Sequence, residues 1–123
     1  MKLRFRDNTL RLRVNRREVE ILSAGKVLEE HIYFPGDTRI AYVLEASNAD
    51  LPNASFDSGV IRISAPRDQV RAWADGESIG IYFELPANGA LLRVAIEKDL
   101  ECLDGPAEER DPHAFTRGIS KNC

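Results

Sequence analysis

The chain has 123 residues, 43% of them hydrophobic and 30% charged, with 8 glycines and 6 prolines. That is one domain's worth of chain, and it excludes collagen-like, low-complexity and wholly disordered classes. The formal net charge of -3, from 17 basic and 20 acidic residues, argues against a strongly basic nucleic-acid binder. The longest apolar runs are four or five residues, too short to span a bilayer. The start, Met1-Lys2-Leu3-Arg4-Phe5-Arg6, alternates charged and apolar residues. A secretory signal needs a continuous apolar stretch, so the expected location is cytoplasmic.

Residues 2–6 and 10–14 alternate in period two around a turn at Asp7-Asn8-Thr9. This predicts a β-hairpin, apolar on one face and basic on the other. Asn15 with Glu18 three residues on makes a capping-box pattern at a helix start. Val19 and Leu22 form its buried stripe, with Ile21 at the edge, and Gly25 ends it. Strands are predicted near Leu28–Phe34 and over Arg39–Ala46, joined by Pro35-Gly36-Asp37. The order then recurs. Phe56 precedes a turn at Asp57-Ser58-Gly59, and Val60–Ser64 reads as a strand. Pro66 suits a first helical residue, with Val70 and Trp73 as the buried stripe and Gly76 as the stop. Ile79, Ile81, Phe83 and Leu85 alternate as a strand, Pro86-Ala87-Asn88-Gly89 turns, and Leu91–Glu97 closes.

A shift of 51 positions aligns the two halves without gaps. It places Phe5 on Phe56, Arg16 on Arg67, Val19 on Val70, Gly25 on Gly76, Pro35 on Pro86 and Val43 on Val94. Each unit reads as ββαββ, with a short first strand in the second copy. The short amphipathic helices must rest on a sheet. The expected fold is therefore mainly β with two short α-helices: a single-chain, pseudo-two-fold β-barrel built from two repeats, whose closure removes exposed strand edges. It occupies residues 1–103, with repeat one at about 2–46 and repeat two at about 56–97. Residues 104–123 form an acidic, extended or disordered tail. Since both units share one chain, no partner chain is needed to complete the barrel, and a monomer or weak dimer is expected.

The run Gly59-Val60-Ile61-Arg62-Ile63-Ser64-Ala65-Pro66-Arg67-Asp68-Gln69-Val70-Arg71, followed by Gly76-Glu77-Ser78-Ile79-Gly80-Ile81, resembles the AbrB-type swapped-hairpin domain, also called a cradle-loop barrel and shared with MazE-like antitoxins. The resemblance covers about residues 57–83 and, more loosely, 9–34. It implies two interlocked units in one chain, as in tandem proteins of the MraZ type. It also implies DNA contacts at Arg62, Arg67 and Arg71, the arginines at comparable places. The closing run Ile96-Glu97-Lys98-Asp99-Leu100-Glu101-Cys102-Leu103 resembles one from a bacterial family of unknown function.

Charge is segregated along the chain. Residues 1–17 hold seven bases and one acid, residues 18–55 two bases and seven acids, and residues 97–123 four bases and seven acids. Alternation puts Lys2, Arg4, Arg6, Arg11 and Arg13 on one face of the first hairpin. Like charges on neighbouring strands repel, so this face wants an anion. Glu97, Asp99 and Glu101 could supply it internally. A protein partner or nucleic acid could supply it from outside, and the absence of interleaved aromatics weighs against single-stranded nucleic acid. Phe115 and Ile119 could anchor the tail to its own barrel or to another chain, as acidic tails of MazE-like antitoxins wrap a toxin.

The spacing of Cys102, His113 and Cys123 matches no zinc pattern. No metal, no cofactor and two reduced thiols are expected, and His31 reads as an exposed strand residue. There is no phosphate-cradling glycine loop, no H-E-x-x-H and no G-x-S-x-G. The expected function is a small bacterial-type binding module without catalysis, acting in protein interaction through the basic hairpin face and the acidic tail. Two alternatives stay open: an AbrB-like DNA-binding regulator, and a small-molecule or enzymatic cleft between the two repeats.

Overall fold

The order ββαββ occurs twice. A computed structural model describes residues 1–100 together with His113 and Phe115. The first unit comprises β1 (Lys2–Arg6), β2 (Thr9–Val14), α1 (Arg16–Ser23), β3 (Leu28–Phe34) and β4 (Thr38–Ser47). The second comprises β5 (Asn53–Asp57), β6 (Val60–Pro66), α2 (Arg67–Asp75), β7 (Gly80–Ala87) and β8 (Ala90–Lys98). Each element recurs 51 residues later to within one or two residues at its ends. The first strand of the second unit is as long as its counterpart, five residues each.

Local chemistry sets these boundaries. Three hairpins turn on two residues with positive φ, Asp7-Asn8, Ser58-Gly59 and Asn88-Gly89, the twist-compatible turn that asparagine and glycine favour. Helix α1 carries the full capping box. Asn15 accepts from the Glu18 amide, and the Glu18 carboxylate accepts from the Asn15 amide. Gly25, at φ +83, ends it. Helix α2 starts differently. Pro66 is the last residue of β6 and the N-cap, not the first helical residue, because its ψ of 142 keeps it extended and in the parallel ladder opposite Ser47. The far end of α2 is closed by a lysine, as buried Lys98 donates from Nζ to the Gly76 carbonyl at 2.9 Å.

The fold is mainly β, and its strands form two four-stranded sheets, β1-β2-β8-β7 (sheet A) and β3-β4-β6-β5 (sheet B), rather than one continuous ladder. Each helix carries its chain from one sheet to the other, so a unit's two hairpins never pair with each other. Each hairpin instead pairs with one from the other unit. The joins are the parallel pairs β2–β8 and β4–β6. Parallel neighbours need long connections, and the helices and outer strands supply them. In each sheet the outer strands are edges: β1 and β7 in one, β3 and β5 in the other.

One core holds both sheets together. Leu12, Val14 and Ile96 from sheet A, Leu44 and Ile63 from sheet B, and Val19, Leu22, Val70 and Trp73 from the helices form a single buried cluster. The two helices touch each other. Trp73 is 3% exposed, and its indole N–H donates to the Ile79 carbonyl at 2.9 Å, which satisfies the one polar atom of the largest core side chain. His113 and Phe115 also meet this body. The Arg16 amide at the start of α1 donates to the His113 carbonyl. Phe115 pairs with Leu100, donates its amide to Asp99 and lies under the Lys98 ammonium.

Trp73→Ala is expected to lower unfolding stability by about 3–5 kcal/mol in a urea melt. A loss below ~1 kcal/mol would contradict its place at the core.

Candidate functional site

The outer face of sheet A is built by register. Antiparallel pairing aligns Lys2 with Arg13, Arg4 with Arg11 and Arg6 with Thr9. Parallel pairing then aligns Arg13 with Glu97, Arg11 with Ala95 and Thr9 with Arg93. The last strand adds Gly80 beside Glu97, Tyr82 beside Ala95 and Glu84 beside Arg93. The face therefore reads in three rows across four strands. The first is Lys2, Arg13, Glu97, Gly80; the second is Arg4, Arg11, Ala95, Tyr82; the third is Arg6, Thr9, Arg93, Glu84. All five basic residues of the first hairpin share this face, and Arg93 joins them from the other unit.

Glu97 is the counter-charge at the centre. Its side chain is only 15% exposed, with Arg11 Nε at 3.1 Å and Arg13 Nε at 3.8 Å. The Tyr82 hydroxyl donates to it at 2.7 Å. The near-buried Asp99 takes Lys2 at 2.8 Å. Of the three acids expected to face the arginines, Glu97 does so, Asp99 instead meets Lys2, and Glu101 lies outside the described residues. The third row is served less well. Arg6 meets Asp7 at 3.6 Å and Arg93 meets Glu84 at 3.7 Å, all with exposed side chains, and such pairs contribute little. Arg4 has no acidic partner among the described residues.

Tyr82 is 59% exposed, with its ring lying over Gly80. A Cβ on Gly80 would come within 2.8 Å of the Tyr82 Cζ and hydroxyl and of the Ile96 carbonyl. The absence of a side chain at Gly80 is what lets the ring lie across that position and reach Glu97. Burial pushes the Tyr82 phenol up to about 12, helped by its hydrogen bond to Glu97 and by that carboxylate's charge, with Arg11 opposing. Two adjoining hollows open on this face. One, of about 250 Å³, lies among Arg4, Arg6, Asp7, Thr9, Arg11 and Arg93. The other, of about 380 Å³, shares Thr9, Arg11 and Arg93 and continues over Ala95 to Tyr82 and Glu84. Both span the β2–β8 join, between the two repeats.

The other candidate residues lie elsewhere. Arg62 is on β6 of sheet B, 3.3 Å from Glu45. Arg67 opens α2, donates to the Asn48 side chain at 2.7 Å and lies against Gly25. Arg71 is exposed on α2. His31 is an exposed strand residue 2.8 Å from Glu29. Cys102, Ile119 and Cys123 lie outside the described residues, and among the described residues no cluster of His, Cys, Asp or Glu could hold a metal ion. Sequence reading overlooked Arg93, Thr9, Tyr82 and Gly80. Their signal was present: Arg93 shares alternation parity with Glu97, and Gly80 and Tyr82 share it in β7. Only the parallel register of β8 on β2 reveals that these faces join.

The chain belongs to a family of unknown function (DUF7009), which matches residues 1–117. No curated protein and no solved structure matches it.

The raised phenol makes an alkaline test. The neutral phenol is favoured in the fold, so its contribution to stability is full below the ordinary value of 10 and is lost as pH rises toward about 12. Glu97→Gln is expected to bring the Tyr82 transition in tyrosinate absorbance down part of the way, since burial persists. Tyr82→Phe assigns that transition by removing it. An unchanged titration in Glu97→Gln would contradict the Glu97 contact.

Proposed function

We propose that this member of a family of unknown function is a binding module, and that the outer face of sheet A docks an acidic segment of a partner protein. The observation that carries the reading is the alignment of six cations in three rows, with the counter-charges gathered around Glu97 and Asp99. Counter-charge is close and shielded at one end of the face, and at the Arg4–Arg6–Arg93 end it is exposed and more distant, with none for Arg4 among the described residues. Weakly compensated guanidiniums on a rigid sheet are suited to forked pairing with carboxylates.

Mixed sign favours a protein segment over nucleic acid. Glu84 and Glu97 interrupt the face, and a regular ladder of phosphates would run across them. An acidic peptide can place its charges where the arginines are. The exchange of hairpins between units supports the swapped-hairpin likeness of residues 57–83, and through it keeps DNA as the competing reading. That reading would draw on Arg62, Arg67 and Arg71, of which Arg62 and Arg67 have partners within the fold.

The test uses fluorescence anisotropy with an oligoglutamate peptide and, separately, duplex DNA. The peptide is expected to bind, to weaken as salt rises and to lose about tenfold or more in affinity in Arg4→Glu/Arg6→Glu. Both side chains are exposed, so the fold should tolerate the change. Binding of DNA without binding of the peptide would overturn the proposal in favour of the DNA reading.

A further inference from the structure

The two hollows over the β2–β8 join share three residues and differ in character. The smaller is a guanidinium cage. The larger has a small floor at Ala95, an arginine on one side and the Tyr82 ring on the other. Arg11 and Tyr82 stand two strands apart in the same row, about 10 Å between backbones at the usual strand spacing. The short Ala95 side chain lies between them in the row, and the Glu97 carboxylate bridges them from the next row. A flat group fits such a gap, with a guanidinium and an aromatic ring to stack on.

The cage asks for more than one negative charge. Arg4, Arg6, Arg11 and Arg93 line the hollows, against the carboxylates of Asp7 and Glu84. Arg4 has no acidic partner among the described residues. Arg11 lines both hollows, with Glu97 3.1 Å from its Nε. Thr9 sits between Arg6 and Arg93 in the third row and lines both hollows. A carboxylate satisfies one guanidinium fork, whereas a phosphoryl group brings nearly two charges and three acceptor oxygens.

We propose that the joined hollows form a site for a phosphomonoester carried on a flat ring. The phosphoryl group lies among Arg4, Arg11, Arg93 and Thr9, and the ring lies over Ala95 against Tyr82. The proposal rests on the reading of this face as anion-binding, and it names the group that anchors there. Two sources share this chemistry, a phosphotyrosine in a partner protein and a free mononucleotide.

Phenyl phosphate titrated into the intact protein by calorimetry is expected to bind about tenfold or more tighter than benzoate, and to weaken about tenfold in Arg4→Ala and in Arg93→Ala. Tyr82→Leu should weaken phenyl phosphate and leave inorganic phosphate unchanged. Equal affinity for phenyl phosphate and benzoate would overturn the phosphoryl assignment. Equal loss of phenyl phosphate and inorganic phosphate in Tyr82→Leu would overturn the ring's place. A phosphotyrosine peptide and adenosine monophosphate, compared side by side, separate the two sources, and failure of both would overturn the proposal. If oligoglutamate binds and phenyl phosphate does not compete with it, the phosphomonoester site is overturned while the docking face stands. If neither binds, both readings fall.

Discussion

The parallel pairing of β2 with β8 is the constraint on which the site depends. It joins the first hairpin of the chain to the last, across more than seventy residues of intervening sequence. The β4–β6 pair does the same for the inner hairpins. Without these joins each unit would offer two detached hairpins and a short helix, with no buried face large enough to hold them. With them, both helices and all four central strands share one core.

The same join creates the charged face. A basic hairpin alone would set five cations side by side on two strands, at a cost from mutual repulsion. The join sets Glu97 beside Arg13, close to Arg11 and within reach of Tyr82, so a single shielded carboxylate serves three side chains. Asp99, just past the end of β8, serves Lys2. Neutralisation is therefore strong near the helices and weak near the hairpin turns. The gradient follows from where the acids fall along β8, since the residue opposite Thr9 on that strand is Arg93, another cation.

Much of the architecture was legible in the sequence because it rests on local rules. Period-two alternation marked the hairpins, Asn15 and Glu18 marked α1, and the 51-residue shift paired the two units. Val19, Leu22, Val70 and Trp73 are buried as their helical spacing implies. The grouping of strands into two sheets was not legible, because it depends on which hairpin each helix delivers to which sheet. Half of the candidate face was visible for the same reason: Lys2, Arg4, Arg6, Arg11 and Arg13 follow from one hairpin, but Arg93, Ala95 and Tyr82 enter through a register between residues far apart in the chain. Lys98 shows the opposite case. Its alternation parity puts it on the inner face of β8, where charge is disfavoured, yet the free carbonyl at the end of α2 gives it a buried acceptor.

The most direct test of the seam as the binding locus is amide chemical-shift mapping with oligoglutamate as the added ligand. Shifts are expected to concentrate on Arg4, Thr9, Arg11, Tyr82 and Arg93, residues from both units that meet only through the β2–β8 join. Shifts concentrated instead on Arg62, Arg67 and Arg71 would contradict it.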